Sequence, residues 1–443
     1  MKMNTIKKSL TCNILVVFAL SILVSAPGHE ASAEVLTLKD GLRLATENSR
    51  LIRIAEQEES VASADTKIAK SNLLPEITTS FSESQLAYRP GAIFGALSVP
   101  TQEQNFFAYS LDVQQTLYDF KGNASRYHAK QAIVNTKKLD TERIRNLVAI
   151  DFALAYLDAL QSEKMILVAE KEVERLTSHF ERAKALFEEG VITKNDLLQA
   201  EVRISDAKQR LLTARNTRAM ASARLNNLLA RSLKSGVEVK DIEGAPPEIL
   251  IEDREDAWKI AEANRPEIRI VDETLQSLGF EAEYRRAQYY PKFFLGGGYD
   301  YVDNRFQIHQ GNWSVILGMH MSLYNGGKTA GELEKIKGRK LGLLEQRKKL
   351  IDDIQLQIEQ SVLAFENAKE RVSVTRDAVQ QGEENWRINK VKYEEGAGTA
   401  TDVLDAVTLL TVAETNYYQS LYDLRKAEAA LLYAVGIDLT EVY

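Results

Sequence analysis

Phe187-Glu188-Glu189-Gly190-Val191-Ile192-Thr193-Lys194-Asn195-Asp196 has a counterpart in the second half of the chain, Tyr393-Glu394-Glu395-Gly396-Ala397-Gly398-Thr399-Ala400-Thr401-Asp402. In each, a glycine is followed by a threonine and, three residues later, an aspartate, the signs of one helix stopping and the next beginning. The flanks agree. From Asn123 to Ser235 the only glycine is Gly190, and no proline lies between Pro100 and Pro246 or after Pro291. Without these breakers both stretches read as very long helices turned back at Gly190 and Gly396. A helix from Gly122 to Glu189 would extend about 100 Å at 1.5 Å per residue.

The returning helices have a coiled-coil seam. Leu197, Ile204, Leu211, Arg218 and Leu225 recur every seventh residue, as do Ala200, Ala207, Ala214, Ala221 and Leu228. Val403, Leu410, Tyr417, Leu424 and Leu431 repeat the first row, and Ala406, Ala413, Ser420, Ala427 and Ala434 the second. Val173, Leu176, Phe180, Ala183 and Phe187 continue the seam on the preceding helix. This 3,4 spacing, with one large row and one small, lets helices approach closely. It fits a solid antiparallel coiled coil or helices set side by side as the wall of a tube.

Further matches keep the same order. Asp40-Gly41-Leu42 through Ile54 matches Asp256-Ala257-Trp258 through Ile270, with Ala45 against Ala261, Asn48 against Asn264 and Arg53 against Arg269. Leu73-Leu74-Pro75 matches Tyr289-Tyr290-Pro291, and Leu117-Tyr118 matches Leu323-Tyr324. The chain therefore reads as one unit duplicated, with repeats at 34–243 and 250–443 and a linker at 244–249 around Gly244-Ala245-Pro246-Pro247. Copy one carries the longer connection, around Tyr88 to Asn105. Each repeat reads as helix, strand pair and long helical hairpin.

Between the proline and the long helix the period falls to two. Phe107, Tyr109, Leu111, Val113 and Leu117 alternate with Ala108, Ser110, Asp112, Gln114 and Thr116. In the second copy Trp313, Val315, Leu317, Met319, Met321 and Leu323 alternate with Ser314, Ile316, Gly318, His320 and Ser322. Ile77, Thr79 and Phe81, and Phe293, Leu295, Tyr299 and Tyr301, mark their hairpin partners. Each run has about the ten residues that a tilted strand needs to cross an outer membrane. Four strands cannot close a barrel, and open edges in lipid leave backbone groups unpaired at several kcal/mol each. Closure then requires oligomers, with eight, twelve or sixteen strands for a dimer, trimer or tetramer.

The N-terminus gives the address. Lys2, Lys7 and Lys8 precede the apolar run Ile14 to Val24, and Ala31-Ser32-Ala33 forms a small-x-small cleavage site. Residues 1–33 are read as a secretory signal peptide, too short in its apolar run to span a bilayer. The only cysteine, Cys12, lies inside it. The chain has 443 residues, a formal charge of −7 and five scattered histidines. An acidic chain argues against nucleic acid, and the absence of cysteine or histidine ligand spacing argues against metal sites and thiol chemistry. No nucleophile elbow, phosphate loop or cofactor fingerprint points to an enzyme. Glu188-Glu189 and Asp352-Asp353 sit in charge-rich helical stretches and read as solvated faces.

A secreted, duplicated chain with these parts resembles the TolC family of outer-membrane efflux channels. The motifs are Leu73-Leu74-Pro75, Leu117-Tyr118 with its following glycine, Gly190-Val191-Ile192-Thr193 with Asp196, and Gly396 through Asp405. The resemblance implies a mainly α fold with a membrane β part. Three protomers would form a 12-stranded β-barrel, four strands each, continuous with a long periplasmic α-helical barrel and ringed by an equatorial belt. It implies an exit duct in a Gram-negative outer membrane, serving a tripartite efflux or type I secretion system with no cofactor. Its partners would be a periplasmic adaptor and an inner-membrane pump. A periplasmic adaptor or a coiled-coil stalk is the alternative, but neither needs two hairpins with aspartate-bearing tips.

By the same resemblance Asp402 and Asp405 face the pore entrance, Tyr393 helps tie it closed, and Asp196 holds the equivalent place on the other hairpin. The tips Gly190, Val191, Thr193, Gly396, Gly398 and Thr399 would meet the adaptor. Gly398 replaces an arginine and Asn195 a threonine found in some members. Thr193 with Asp196 and Thr399 with Asp402 also read as capping boxes, a role that leaves Asp405 unexplained because its counterpart is Gln199. Rings of carboxylates would attract cations and be blocked by multivalent ones.

Overall fold

A computed structural model describes residues 35–242 and 254–443. The signal peptide and the Gly244-to-Pro247 linker lie outside the described residues. Copy one comprises β1 (Val35–Leu36), α1 (Leu38–Asn48), α2 (Arg50–Ser71), β2 (Glu76–Gln85), β3 (Gly91–Phe94), β4 (Leu97–Pro100), β5 (Asn105–Tyr118), α3 (Gly122–Glu188), α4 (Lys194–Leu228) and β6 (Glu238–Val239). Copy two comprises α5 (Arg254–Asn264), α6 (Pro266–Ala287), β7 (Lys292–Val302), β8 (Gly311–His320), α7 (Lys328–Glu394), α8 (Ala400–Ala434) and α9 (Leu439–Val442). The long helices α3 and α7 have 67 residues each and the returning helices 35 each.

β2, β5, β7 and β8 form one antiparallel sheet in that order. Cross-strand register places Ile77 opposite Val113, Val113 opposite Gly297, and Gly297 opposite Val315. The next row on the same face is Thr79, Leu111, Tyr299 and Trp313. Phe81, Tyr109, Leu295, Leu317 and Met319 lie on it too, whereas Thr78, Ser80, Ser110, Asp112, Asp300 and Ser314 lie on the other. Most of the apolar face is open, with Val315 81% and Trp313 73% exposed. Where the sheet meets the helices, Phe120 packs between Tyr118 and Tyr290, with ring centroids 4.8 and 4.7 Å away.

The junction is also where the two copies solve one problem differently. Phe120 and Lys121 have φ of 54° and 65°, and their counterparts Gly326 and Gly327 have φ of 65° and 82°. A left-handed pair redirects the chain from strand into long helix in both copies. Glycine adopts it freely; in copy one, ring packing on Phe120 and an Asn123 N–H donating to Asp119 Oδ2 (2.6 Å) hold non-glycine residues there. The copy-one connection read as a loop contains an extra hairpin, β3 paired with β4, turned at Gly95. Its turn glycine was the available signal.

The helices lie side by side. α3 packs against α4 and α8, and α8 against α7, while α2 and α6 flank α3 nearer the sheet. The predicted seam is the packed one: Ile204 and Ala207 are buried, and Leu211, Ala214, Arg218 and Ala221 are half-buried on an otherwise exposed face of α4. α8 has a second apolar stripe, including Leu404, Val407, Tyr422, Ala429 and Leu432, because it has helices on both sides. The hairpins therefore form a layer rather than two separate coiled coils. The main core lies midway, where Phe152, Tyr156, Leu157 and Leu160 of α3 meet Leu42, Leu225 and Leu229. There the Tyr156 hydroxyl sits 2.8 Å from the Leu36 carbonyl and 2.6 Å from the Lys240 carbonyl, tying in the parallel β1–β6 pair.

Candidate pore entrance at the hairpin tips

The two tips have one construction. α3 ends with Gly190 at φ 73° and α7 with Gly396 at φ 74°. The Val191 N–H donates to the Leu186 carbonyl (2.8 Å) and the Gly190 N–H to the Phe187 carbonyl (2.9 Å). Ala397 to Lys392 (2.8 Å) and Gly396 to Tyr393 (3.2 Å) repeat the pair. This 6→1 and 5→2 pattern satisfies the last carbonyls and needs a left-handed residue after the cap.

Each returning helix then opens on a reciprocal box. The Asp196 N–H donates to Thr193 Oγ1 (3.3 Å), and the Thr193 N–H donates to Asp196 Oδ2 (3.1 Å). The Asp402 N–H donates to Thr399 Oγ1 (3.2 Å), and the Thr399 N–H and hydroxyl donate to Asp402 Oδ2 at 3.0 and 2.7 Å. These bonds from Thr399 hold the Asp402 carboxyl below the usual carboxylate range. Both aspartates cap helices, and Asp402 remains exposed. A Cβ on Gly398 would stand 3.1 Å from Lys392 Cβ and 3.2 Å from the Tyr393 nitrogen, so a longer residue there would press on the last turn of α7.

The remaining candidates separate into two places. Asp405 is exposed, with no capping role, and lines a groove of about 470 Å³ between α4 and α8 with Gln199, Arg203, Asp206 and Thr401. Tyr393 is buried on the opposite flank, its ring 5.0 Å from that of His179. Burial raises the Tyr393 hydroxyl pKa, and the Asp196 charge adds to it. Above them Arg175 of α3 donates two hydrogen bonds of 2.8 Å to Glu414 of α8. The guanidinium lies 5.5 Å from the centre of the Trp386 ring of α7. Leu176, Ile204, Ala207, Leu404 and Val407 form the apolar cluster beside this clamp. Sequence reading missed Arg175, His179, Trp386 and Glu414. The signal for Glu414 was a charge interrupting the second stripe of α8; nothing marked Arg175 among many surface cations.

The family model of outer membrane efflux proteins matches residues 41–231 and again 258–437, one segment in each copy. The chain belongs to the outer membrane efflux protein family. Among its relatives, the alkaline protease secretion protein AprF of Pseudomonas aeruginosa is 23% identical over 438 residues, covering 91% of this chain and 85% of AprF. The outer membrane efflux protein BepC of Brucella suis is 23% identical over 424 residues, covering 92% and 87%. In fold, the chain is similar to the outer membrane protein VceC of Vibrio cholerae, with a TM-score of 0.79 at 16% identity, covering 90% of this chain and 96% of that one. The resemblance to TolC-like channels read from the sequence therefore holds. This efflux protein is an exit duct of the outer membrane with a long periplasmic helical extension, and not an enzyme. Its open apolar sheet face has the character that a lipid-facing surface of such a duct requires.

Proposed function

We propose that three copies of this efflux protein close into one duct, twelve strands in the outer membrane and a helical barrel below. Each chain would contribute two repeats of one unit, 34–243 and 250–443, joined at 244–249. The observation that carries this reading is the four-stranded sheet: one face apolar, the outer edges of β2 and β8 open among the described residues, and each copy's last strand leading into a 67-residue helix. The open edges of β2 and β8 and the outer helices α4 and α7 are the surfaces that closure would bury. Exposed Leu212 and Met220 on α4, and Leu356 and Val374 on α7, suit it.

The tips would form the periplasmic entrance, where a periplasmic adaptor and an inner-membrane pump would deliver cargo. Gly190, Val191, Thr193, Gly396, Gly398 and Thr399 would be the adaptor contacts. Asp405 would supply the pore-facing charge, Asp402 would cap its helix and contribute to the same acidic ring, and Asp196 and Tyr393 would hold the tips around it. The test is single-channel conductance of detergent-extracted protein in a planar bilayer. Wild type is compared with Asp402→Ala plus Asp405→Ala, with and without a trivalent cation. Small cation-selective openings blocked by the trivalent ion, and block lost in the double variant, are expected. Unchanged block would leave Asp402 as a helix cap alone and remove Asp405 from the pore lining, and failure to insert would overturn the duct.

A further inference from the structure

Between α3 and α7, just above the tips, lies a crevice of about 220 Å³ bounded by His179, Arg182, Trp386, Lys390, Tyr393 and the base of the Arg175 clamp. Two of its walls are polar groups with nothing to bond. His179 and Tyr393 are each 6% exposed, and neither His179 Nε2 nor the Tyr393 hydroxyl has a hydrogen-bond partner among the described residues. Buried polar groups left unpaired are destabilising and rare in native proteins, so a crevice built this way calls for an occupant.

The chemistry of the walls selects its charge. Arg182 and Lys390 present cations, Lys390 lying 5.4 Å from the Trp386 ring centre. Arg175 is already committed to Glu414. Glu394, exposed, is the one carboxylate among the lining residues, and the Asp196 charge at the neighbouring tip also reaches the Tyr393 hydroxyl. The Tyr393 hydroxyl and the Arg182 and Lys390 heads can all donate, as can His179 through an Nε2 proton. Water would satisfy one or two of these groups; an oxyanion accepts from all of them at once, with the stronger bonds that charge brings.

We propose that this crevice binds a small free oxyanion, of the size and charge of phosphate, which bridges α3 and α7 below the Arg175–Glu414 clamp. Occupancy ties the two hairpins together from inside one chain, whether or not the tips form the pore entrance. The site is distinct from the capping boxes and from the Asp405 groove, which lies on the other flank between α4 and α8.

Trp386 makes the site directly observable. The chain has three tryptophans, Trp258, Trp313 and Trp386, so Trp258→Phe plus Trp313→Phe leaves the crevice residue as sole reporter. Inorganic phosphate is titrated into the purified, detergent-extracted protein at constant ionic strength, with chloride as the matched salt. A saturable change in Trp386 emission specific to phosphate is expected. It should weaken about tenfold in Arg182→Gln and several-fold in Tyr393→Phe, and persist in Arg203→Gln, whose side chain lines the other groove. Thermal unfolding checks that each variant is folded, and slower hydrogen exchange across residues 176–186 with phosphate provides a second readout. A response that is unsaturable, equal for chloride, or undiminished in Arg182→Gln would mean that the crevice holds only water.

Discussion

The Arg175–Glu414 pair offers the sharpest test of how the two hairpins are held together. It links α3 to α8 through two 2.8 Å hydrogen bonds, with the Glu414 side chain 6% exposed and that of Arg175 13% exposed. Replacing Glu414 with alanine leaves a largely buried guanidinium against Trp386, with the Lys171 ammonium, formerly 4.0 Å from Glu414, adding to the uncompensated charge. Breaking one side of a buried pair costs about 3–5 kcal/mol, and the residual exposure of Arg175 favours the lower end. At 1.4 kcal/mol per tenfold change, about 3 kcal/mol raises opening of the α3–α8 seam about a hundredfold. Hydrogen exchange read by mass spectrometry on peptides spanning 170–186 and 404–418 measures this opening, and peptides around Phe152 serve as the internal control. Arg175→Met combined with Glu414→Leu should recover most of the protection, because apolar groups of similar volume replace a buried pair with little loss. A change under threefold in Glu414→Ala, or a double variant as open as the single one, would refute the clamp.

Three further outcomes follow from the geometry. Gly396→Ala forces an L-residue to φ 74° and should cost about 1 kcal/mol, read as earlier exchange at the α7 tip, with little effect at the α3 tip. Asp402, whose folded pKa lies below its ordinary value near 3.8, contributes stability that is present above that value and is lost as pH falls through the lower folded pKa. Protection of the first turn of α8 should therefore hold at neutral pH and decline only in strong acid, and Asp402→Asn should remove that acid dependence. Gly41→Ala would put a Cβ 2.3 Å from the buried Phe152 ring and should destabilise by about 1–3 kcal/mol in thermal unfolding; adding Phe152→Ile should relieve it, as Ala257 and Ile358 coexist in the other copy.

The duplication made most of this fold legible. Helix breakers are rare enough that Gly190 and Gly396 marked the tips, and the limits of α3 and α4 fall within a residue or two of the capping signals. The heptad rows picked out the packed face of α4 because that helix has one main neighbour. They described only half of α8, whose second stripe answers to α3, a partner distant in sequence. The capping boxes at Thr193 and Thr399 were readable because their partners lie three residues apart. Arg175 with Glu414, and His179 with Tyr393, join positions far apart in the chain, and no local pattern announces such pairs. β3 and β4 were missed because four-residue strands carry too little alternation to be distinguished from a loop.

The two halves of the molecule leave their unpaired surfaces in the same sense, and this constrains how copies associate. In the sheet, copy one provides the β2 edge and copy two the β8 edge, with β5 and β7 joined between them. In the helical layer, copy one provides α4 on one side and copy two α7 on the other, with α3 and α8 joined between them. A neighbour that presents its copy-one edge to this chain's copy-two edge pairs β8 with β2 and brings α7 against α4 in the same contact. That contact uses two different surfaces, so it is heterologous and makes a ring only if its rotation closes. A two-fold arrangement joining like edges would pair β8 with β8 and leave both β2 edges open in lipid, at several kcal/mol per unpaired group. Duplication therefore does more than repeat a motif: each chain contains a copy-one to copy-two join resembling the one it would make with neighbours in the proposed trimer, which would then be a ring of six similar units. Disulfide trapping between cysteines introduced at Ile77 and Val315, residues of the two opposite edge strands on the same face, should yield closed three-chain species. A ladder that stops at two chains would exclude the ring.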